Sequence, residues 1–106
     1  MPKYLLQTSY TAGGAQGLLK DGGSKRRAAA KAAIESIGGK LESMYYAFGD
    51  VDVYLIVDMP DAISAASLSV ALGASGAVTN KTIVLLTPEE MDQAVKKTAS
   101  YSPPGR

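Results

Sequence analysis

The chain opens on an alternation. From Lys3 to Tyr10, the residues Tyr4, Leu6, Thr8 and Tyr10 share one face while Leu5, Gln7 and Ser9 share the other, which predicts a strand. Thr11 can cap a short helix running through Lys20, although Gly13, Gly14 and Gly17 weaken it by up to about 1 kcal/mol each. Gly22-Gly23-Ser24 is a break. From Lys25 the chain becomes helix-forming, and Ala28 to Ile37 sets Ala30, Ala33, Ile34 and Ile37 at core-facing spacing. Gly38-Gly39 ends that helix as a glycine cap does.

Two further strands are predicted, Lys40 to Phe48 and Val51 to Met59, joined at Gly49-Asp50 by a two-residue hairpin connection. The register follows. Phe48 faces Val51, Tyr46 faces Val53 and Met44 faces Leu55 on the core side; Ala47 with Asp52, Tyr45 with Tyr54 and Ser43 with Ile56 form the other side. Pro60-Asp61 then opens a helix from Ala62 to Leu72, with Ile63, Ala66 and Val70 on one stripe. Lys81 to Leu86 reads as a fourth strand, apolar on both faces. Thr87-Pro88-Glu89-Glu90 is a strong start for a last helix reaching Lys97. Residues 1–98 make one domain, and residues 99–106, with Pro103-Pro104-Gly105, a flexible Pro/Ser tail.

The order β, helix, β, β, helix, β, helix is the α+β, ferredoxin-like βαββαβ pattern with an extra C-terminal helix. Two helices cover one face of a four-stranded antiparallel sheet. The other face keeps Tyr45, Tyr54 and Ile56, with Val84 or Leu86 beside them, too much apolar surface for a monomer to leave wet. A second copy of the same sheet is the simplest cover, so the expected partner is the chain itself, as a two-fold homodimer or a higher oligomer.

From Gly49 through Val53-Tyr54-Leu55-Ile56-Val57 to Asp61 the chain resembles the GYD domain family. The resemblance runs from Tyr4 to Met91 and takes in Ser9-Tyr10-Thr11, Arg26, Ile37-Gly38-Gly39-Lys40-Leu41 and Leu86-Thr87-Pro88-Glu89-Glu90. It implies a dimeric α+β barrel, in which two sheets pair face to face. It implies no particular reaction. Where the family's name-giving motif carries Tyr, this chain has Val51 between Gly49 and Asp52, so no role needing a phenol there carries over. The glycine followed by an aspartate three residues on also resembles the ligand-binding modules of leucine-responsive transcription regulators, an analogy of fold alone.

Composition narrows the chemistry. The chain has no Cys and no His, which removes disulfides, thiol nucleophiles, zinc ribbons, the commonest general base and the commonest transition-metal ligand. No metal site and no cofactor is expected. A formal charge of +1 gives no global reason for nucleic-acid or membrane partners. The longest aliphatic runs, Ile83 to Leu86 and Val53 to Val57, fall far below the roughly 20 residues of a membrane helix. The start has no apolar run of signal-peptide length, so a cytoplasmic protein is the default.

Charge is unevenly placed. Residues 1–40 hold seven Lys and Arg against two acids, and residues 41–80 five acids and no base, which can steer self-association or pair within the fold. Lys25, Arg26 and Arg27 follow Gly22-Gly23-Ser24 at a helix start, where cations oppose the helix dipole. They read either as a site for a small anionic ligand, with Ser9 and Tyr45 as further contacts, or as a solvated basic turn paired with Asp21.

Asp52 and Asp58 lie about 20 Å apart along one strand, too far to act as an acid/base pair within one subunit. Asp52 sits within reach of Tyr10 and Ser9, yet a carboxylate there equally satisfies the hairpin's backbone N–H groups. Asp61 is an N-cap, and Tyr46 belongs to the core side. Tyr45 and Tyr54, opposed across the hairpin, read as interface packing or as a catalytic pair. Two functional readings result. One is a small oligomeric domain that binds a ligand or serves assembly. The other is a cofactor-independent isomerase or lyase with Asp52 as base, Tyr10 or Tyr54 as proton donor and Arg26 as anion clamp. Whether the chain is an enzyme stays open between them.

Overall fold

The computed structural model describes residues 1–47 and 49–106. The elements are β1 (Lys3–Tyr10), α1 (Ala12–Asp21), α2 (Gly23–Ser36), β2 (Lys40–Tyr46), β3 (Val53–Asp58), α3 (Ala62–Ala74), β4 (Val78–Leu85) and α4 (Pro88–Lys96). The four strands form one antiparallel sheet in the order β2-β3-β1-β4. This is the ferredoxin-like α+β arrangement, with α4 as the addition.

The alternation in β1 sorts as its pattern requires: Tyr4, Leu6 and Thr8 are buried, and their neighbours face the other way. Val53, Leu55 and Val57 of β3 lie on the same side, beneath Ile34 of α2 and Ala65 and Leu68 of α3. Burial of these side chains is the main stabilising term, about 1.5–3 kcal/mol for each large one. The turn after α2 is tight. A Cβ on Gly39 would stand 2.6 Å from Met59 Sδ and 2.9 Å from Ile34 Cγ2, so position 39 tolerates only hydrogen there.

The helix starts follow local chemistry. Thr11 accepts from Gly14 N, Asp61 accepts from Ser64 N, and Thr87 and Glu90 form a reciprocal capping box. Helix α2 has no such cap. It starts directly after Gly22, whose φ of 79° turns the chain out of α1.

Several expectations need correction. Strand β3 begins at Val53, so the link from β2 is longer than two residues. Ala47 N donates to Asp52 O at 2.8 Å while Asp52 N donates to Thr8 O at 3.1 Å, which draws the returning chain onto β1. The expected opposition of Phe48 and Val51 falls outside the described residues. Tyr46–Val53, Tyr45–Tyr54, Met44–Leu55 and Ser43–Ile56 pair as the pattern requires, and the register then shifts between Leu41 and Ser43.

Helix α3 turns Ala65, Leu68 and Leu72 inward, leaving Ile63 and Val70 largely exposed. Its sequence is apolar or small all round, so spacing alone does not choose a face. Strand β4 starts three residues earlier than Lys81. Val84 pairs with Tyr4, and this parity puts Ile83 and Leu85, rather than Val84, on the side away from the helices.

Candidate functional site

The side of the sheet away from the helices can be read row by row from the register. Asp58, Lys3 and Leu85 make one row; Ser43, Ile56, Leu5 and Ile83 the next; Tyr45, Tyr54, Gln7 and Lys81 the third. At one end Lys3 Nζ binds Asp58 at 2.8 Å and Glu42 at 3.3 Å. Both carboxylates hold the Lys3 ammonium above its ordinary pKa, the Asp58 hydrogen bond contributing most and outweighing the partial loss of water around the ammonium. The centre of the face is apolar and tyrosine-bearing, with Tyr45 71% exposed and Ile83 40% exposed. The crossover helices α2 and α3 lie on the opposite side, where Ile34, Ala65 and Leu68 pack against β1 and β3.

On the helix side, a cavity of about 80 Å³ lies between the sheet and α2 and α3. It is lined by Leu6, Val53 and Leu55 from the sheet and Leu68 from α3, with Tyr10 and Arg26 also bordering it. An open cleft of about 530 Å³ shares the Tyr10 wall and continues past Leu18, Gly23, Tyr46 and Asp52. That volume falls in the range of small-molecule sites.

The end of β1 supplies the key ring. Burial pushes the Tyr10 phenol up to about 12, the neighbouring Tyr46 phenol adds to this, and the Arg26 guanidinium opposes it. Tyr10 is therefore a neutral hydroxyl at the cavity mouth across the ordinary pH range. Arg26 comes from the first turn of α2. Its guanidinium stands 3.6 Å from Asp21 Oδ2, longer than a hydrogen bond, so the pair is loose and the side chain still borders the cavity. Lys25 makes a similar exposed pair with Asp21 at 3.7 Å.

The structure sorts the residues singled out from sequence into three places. Tyr10 borders both hollows, sharing the small cavity with Arg26 and the open cleft with Asp52. Tyr45 and Tyr54 lie on the opposite side of the sheet, beyond contact with that cleft. Arg27 lines a separate groove with Ser24, Met44, Tyr45 and Tyr46, and Ser9 Oγ donates to Asp50 O at 3.3 Å. Asp52 is already engaged, its Oδ2 accepting the Tyr10 backbone N–H at 2.8 Å.

Tyr46, expected in the core, stands instead on the cleft rim, 39% exposed, its hydroxyl donating to Gly23 O at 3.4 Å. The face is the expected one. At the strand end, however, the sheet runs out from under the helices. Thr8 was also not singled out: this buried hydroxyl lines the cavity and donates to Asn80 Oδ1 at 2.9 Å. A threonine among large apolar neighbours on a core face was its only signal.

Among the described residues no cluster of Asp and Glu is arranged to hold a metal ion, and no helix is long and apolar enough to cross a membrane. The family model of the GYD domain matches residues 4–95. No curated protein and no solved structure matches the chain.

Proposed function

This chain belongs to the GYD domain family, and on that premise we propose that it is a homo-oligomeric binding domain for a small anionic ligand with an apolar part. The carrying observation is the apolar cavity with Arg26 and the neutral Tyr10 hydroxyl on its mouth. An apolar group fits against Leu6, Val53, Leu55 and Leu68. A carboxylate or phosphate at the mouth meets the guanidinium and accepts a hydrogen bond from the phenol.

Self-association belongs to the same reading. The sheet side bearing Leu5, Ile56, Tyr54 and Ile83 has no cover of its own and is self-complementary in character, apolar at the centre and charged at one end. Two copies pairing face to face bury it and leave both clefts open on the outside.

The test is a melt of the wild type and Arg26→Met against short and apolar-tailed carboxylates and phosphates. A ligand at a hundredfold its dissociation constant adds about 2.7 kcal/mol to the wild type and nothing to the variant. A wild-type melt unmoved by the whole panel overturns the ligand reading, and a monomer by light scattering at micromolar concentration overturns the assembly.

A further inference from the structure

Helix α4 is a well-made helix whose every residue is exposed. It has a complete capping box, acids in its first turn and Lys96 in its last, yet none of its residues is buried. Nine-residue helices are marginal alone in water, so a helix of this kind draws its stability from a packed face. Met91 and Val95, one turn apart, form such a face and are 49% and 71% exposed. With α4 and the irregular residues 97–106 after it, the molecule measures 57 × 33 × 22 Å, with a radius of gyration of 16.7 Å where a compact chain of this length has about 13 Å.

We infer that α4 is an arm that docks on a second copy of this chain, along the rim of that copy's open sheet face. The inference rests on the face-to-face assembly proposed above. Area argues for it. Four strands about 4.8 Å apart and about seven residues long present about 450 Å². Two such faces bury about 900 Å², short of the roughly 1,200–2,000 Å² of a stable interface. One side of α4, about 13 Å by 10 Å, covers about 130 Å² and buries an equal patch beneath it. Two reciprocal arms bring the total to about 1,400 Å².

Continuity and charge agree with the area. The chain passes from Ile83 and Leu85 on the open face, through the half-exposed Leu86, directly into α4. Glu89 and Asp92 in the first half of α4 have no basic partner, and Lys40 and Lys81 have no acidic partner, among the described residues. Lys81 lies on the open side of the edge strand β4, so an arm laid along that rim sets its acidic turn against the partner's Lys81.

Two measurements on the full-length chain test this. Sedimentation of Met91→Glu/Val95→Glu should show a dimer weakened tenfold or more with the β-sheet circular dichroism unchanged. A single thiol at Val95→Cys, in a chain otherwise free of cysteine, carries a benzophenone label whose photoproducts should join two chains and map to the edge strand β4. A double variant that dimerises as tightly as the wild type, or photoproducts confined to one chain, overturns the arm while leaving the sheet-to-sheet dimer standing. A wild type that sediments as a monomer overturns both.

Discussion

The carboxylate of Asp52 accepts the backbone N–H of Tyr10 at 2.8 Å, tying the last residue of β1 to the segment that leads into β3. Beyond this point Thr11 takes the chain off the sheet, its N–H donating to Ala77 O at 2.9 Å and its hydroxyl to Gly76 O at 2.8 Å. The backbone at Tyr10 and Thr11 is thereby anchored to the segments that lead into β3 and β4, a structural role for Asp52 that needs no catalytic property.

Replacing the acceptor should show this. Asp52→Ala leaves the Tyr10 N–H without its charged partner and should cost about 1.5 kcal/mol in urea unfolding. Asp52→Asn keeps an oxygen acceptor and should lose less. Equal losses in the two variants would mean that the hydrogen bond is not what position 52 supplies.

Gly39→Ala should destabilise by about 1–3 kcal/mol, because the added methyl meets Met59 Sδ, Asp58 O and Ile34 Cγ2 at once. Two of those three atoms belong to core side chains, and the third is backbone that cannot swing away. Gly17→Ala, where a Cβ meets nothing within 4 Å, is the control and should be neutral or slightly stabilising. Thermal unfolding of the two variants side by side decides it.

Alkaline titration should single out one of the six tyrosines. The Tyr10 phenol ionises near 12 in the folded chain against 10.0 for an unperturbed phenol, so between these values the unfolded chain binds fewer protons. The stability that Tyr10 contributes is complete below pH 10 and is lost as pH rises toward 12. The Lys3 ammonium, also raised, works in the same direction from above its ordinary 10.5. Phenolate absorbance should show a late-ionising group that Tyr10→Phe removes; an unchanged titration curve in that variant would refute the assignment.

Tyr54→Asp should dissociate the dimer without dismantling the subunit. Tyr54 is 36% exposed at the centre of the open face, beside Tyr45 and Gln7, so a carboxylate is solvated in a monomer and stranded in a sheet-to-sheet interface. Light scattering should give the mass of one chain, with circular dichroism unchanged. A variant that still dimerises would place the interface elsewhere.

The strand pairing of the hairpin was legible because it depends on local parity. Once Tyr45 and Tyr54 oppose each other, every neighbour on β2 and β3 falls to a known side as far as the shift between Leu41 and Ser43. The helix caps were legible for the same reason, since Thr11, Asp61 and Thr87 each bind an N–H three residues away. The buried face of helix α3 was not, because its sequence is apolar or small on every side, and the sheet selected Ala65 and Leu68 over Ile63 and Val70. The fourth strand was legible in its apolar half alone; Val78 to Asn80 became strand because β1 offered them partners in Tyr10, Ser9 and Thr8.

By itself the sequence determined the order of elements, the ferredoxin-like class and the absence of thiol and imidazole chemistry, because these follow from short-range periodicity and from which residues exist. Tertiary structure decided which of the marked residues meet. It set Arg26 beside Tyr10 at a cavity, moved Tyr46 from the core to the rim of the cleft, put Tyr45 and Tyr54 on the other side of the sheet, and left every residue of α4 exposed. The physical reason is distance along the chain. Contacts between β1 and α2, or between a sheet face and whatever covers it, depend on how the layers stack, which no local pattern encodes.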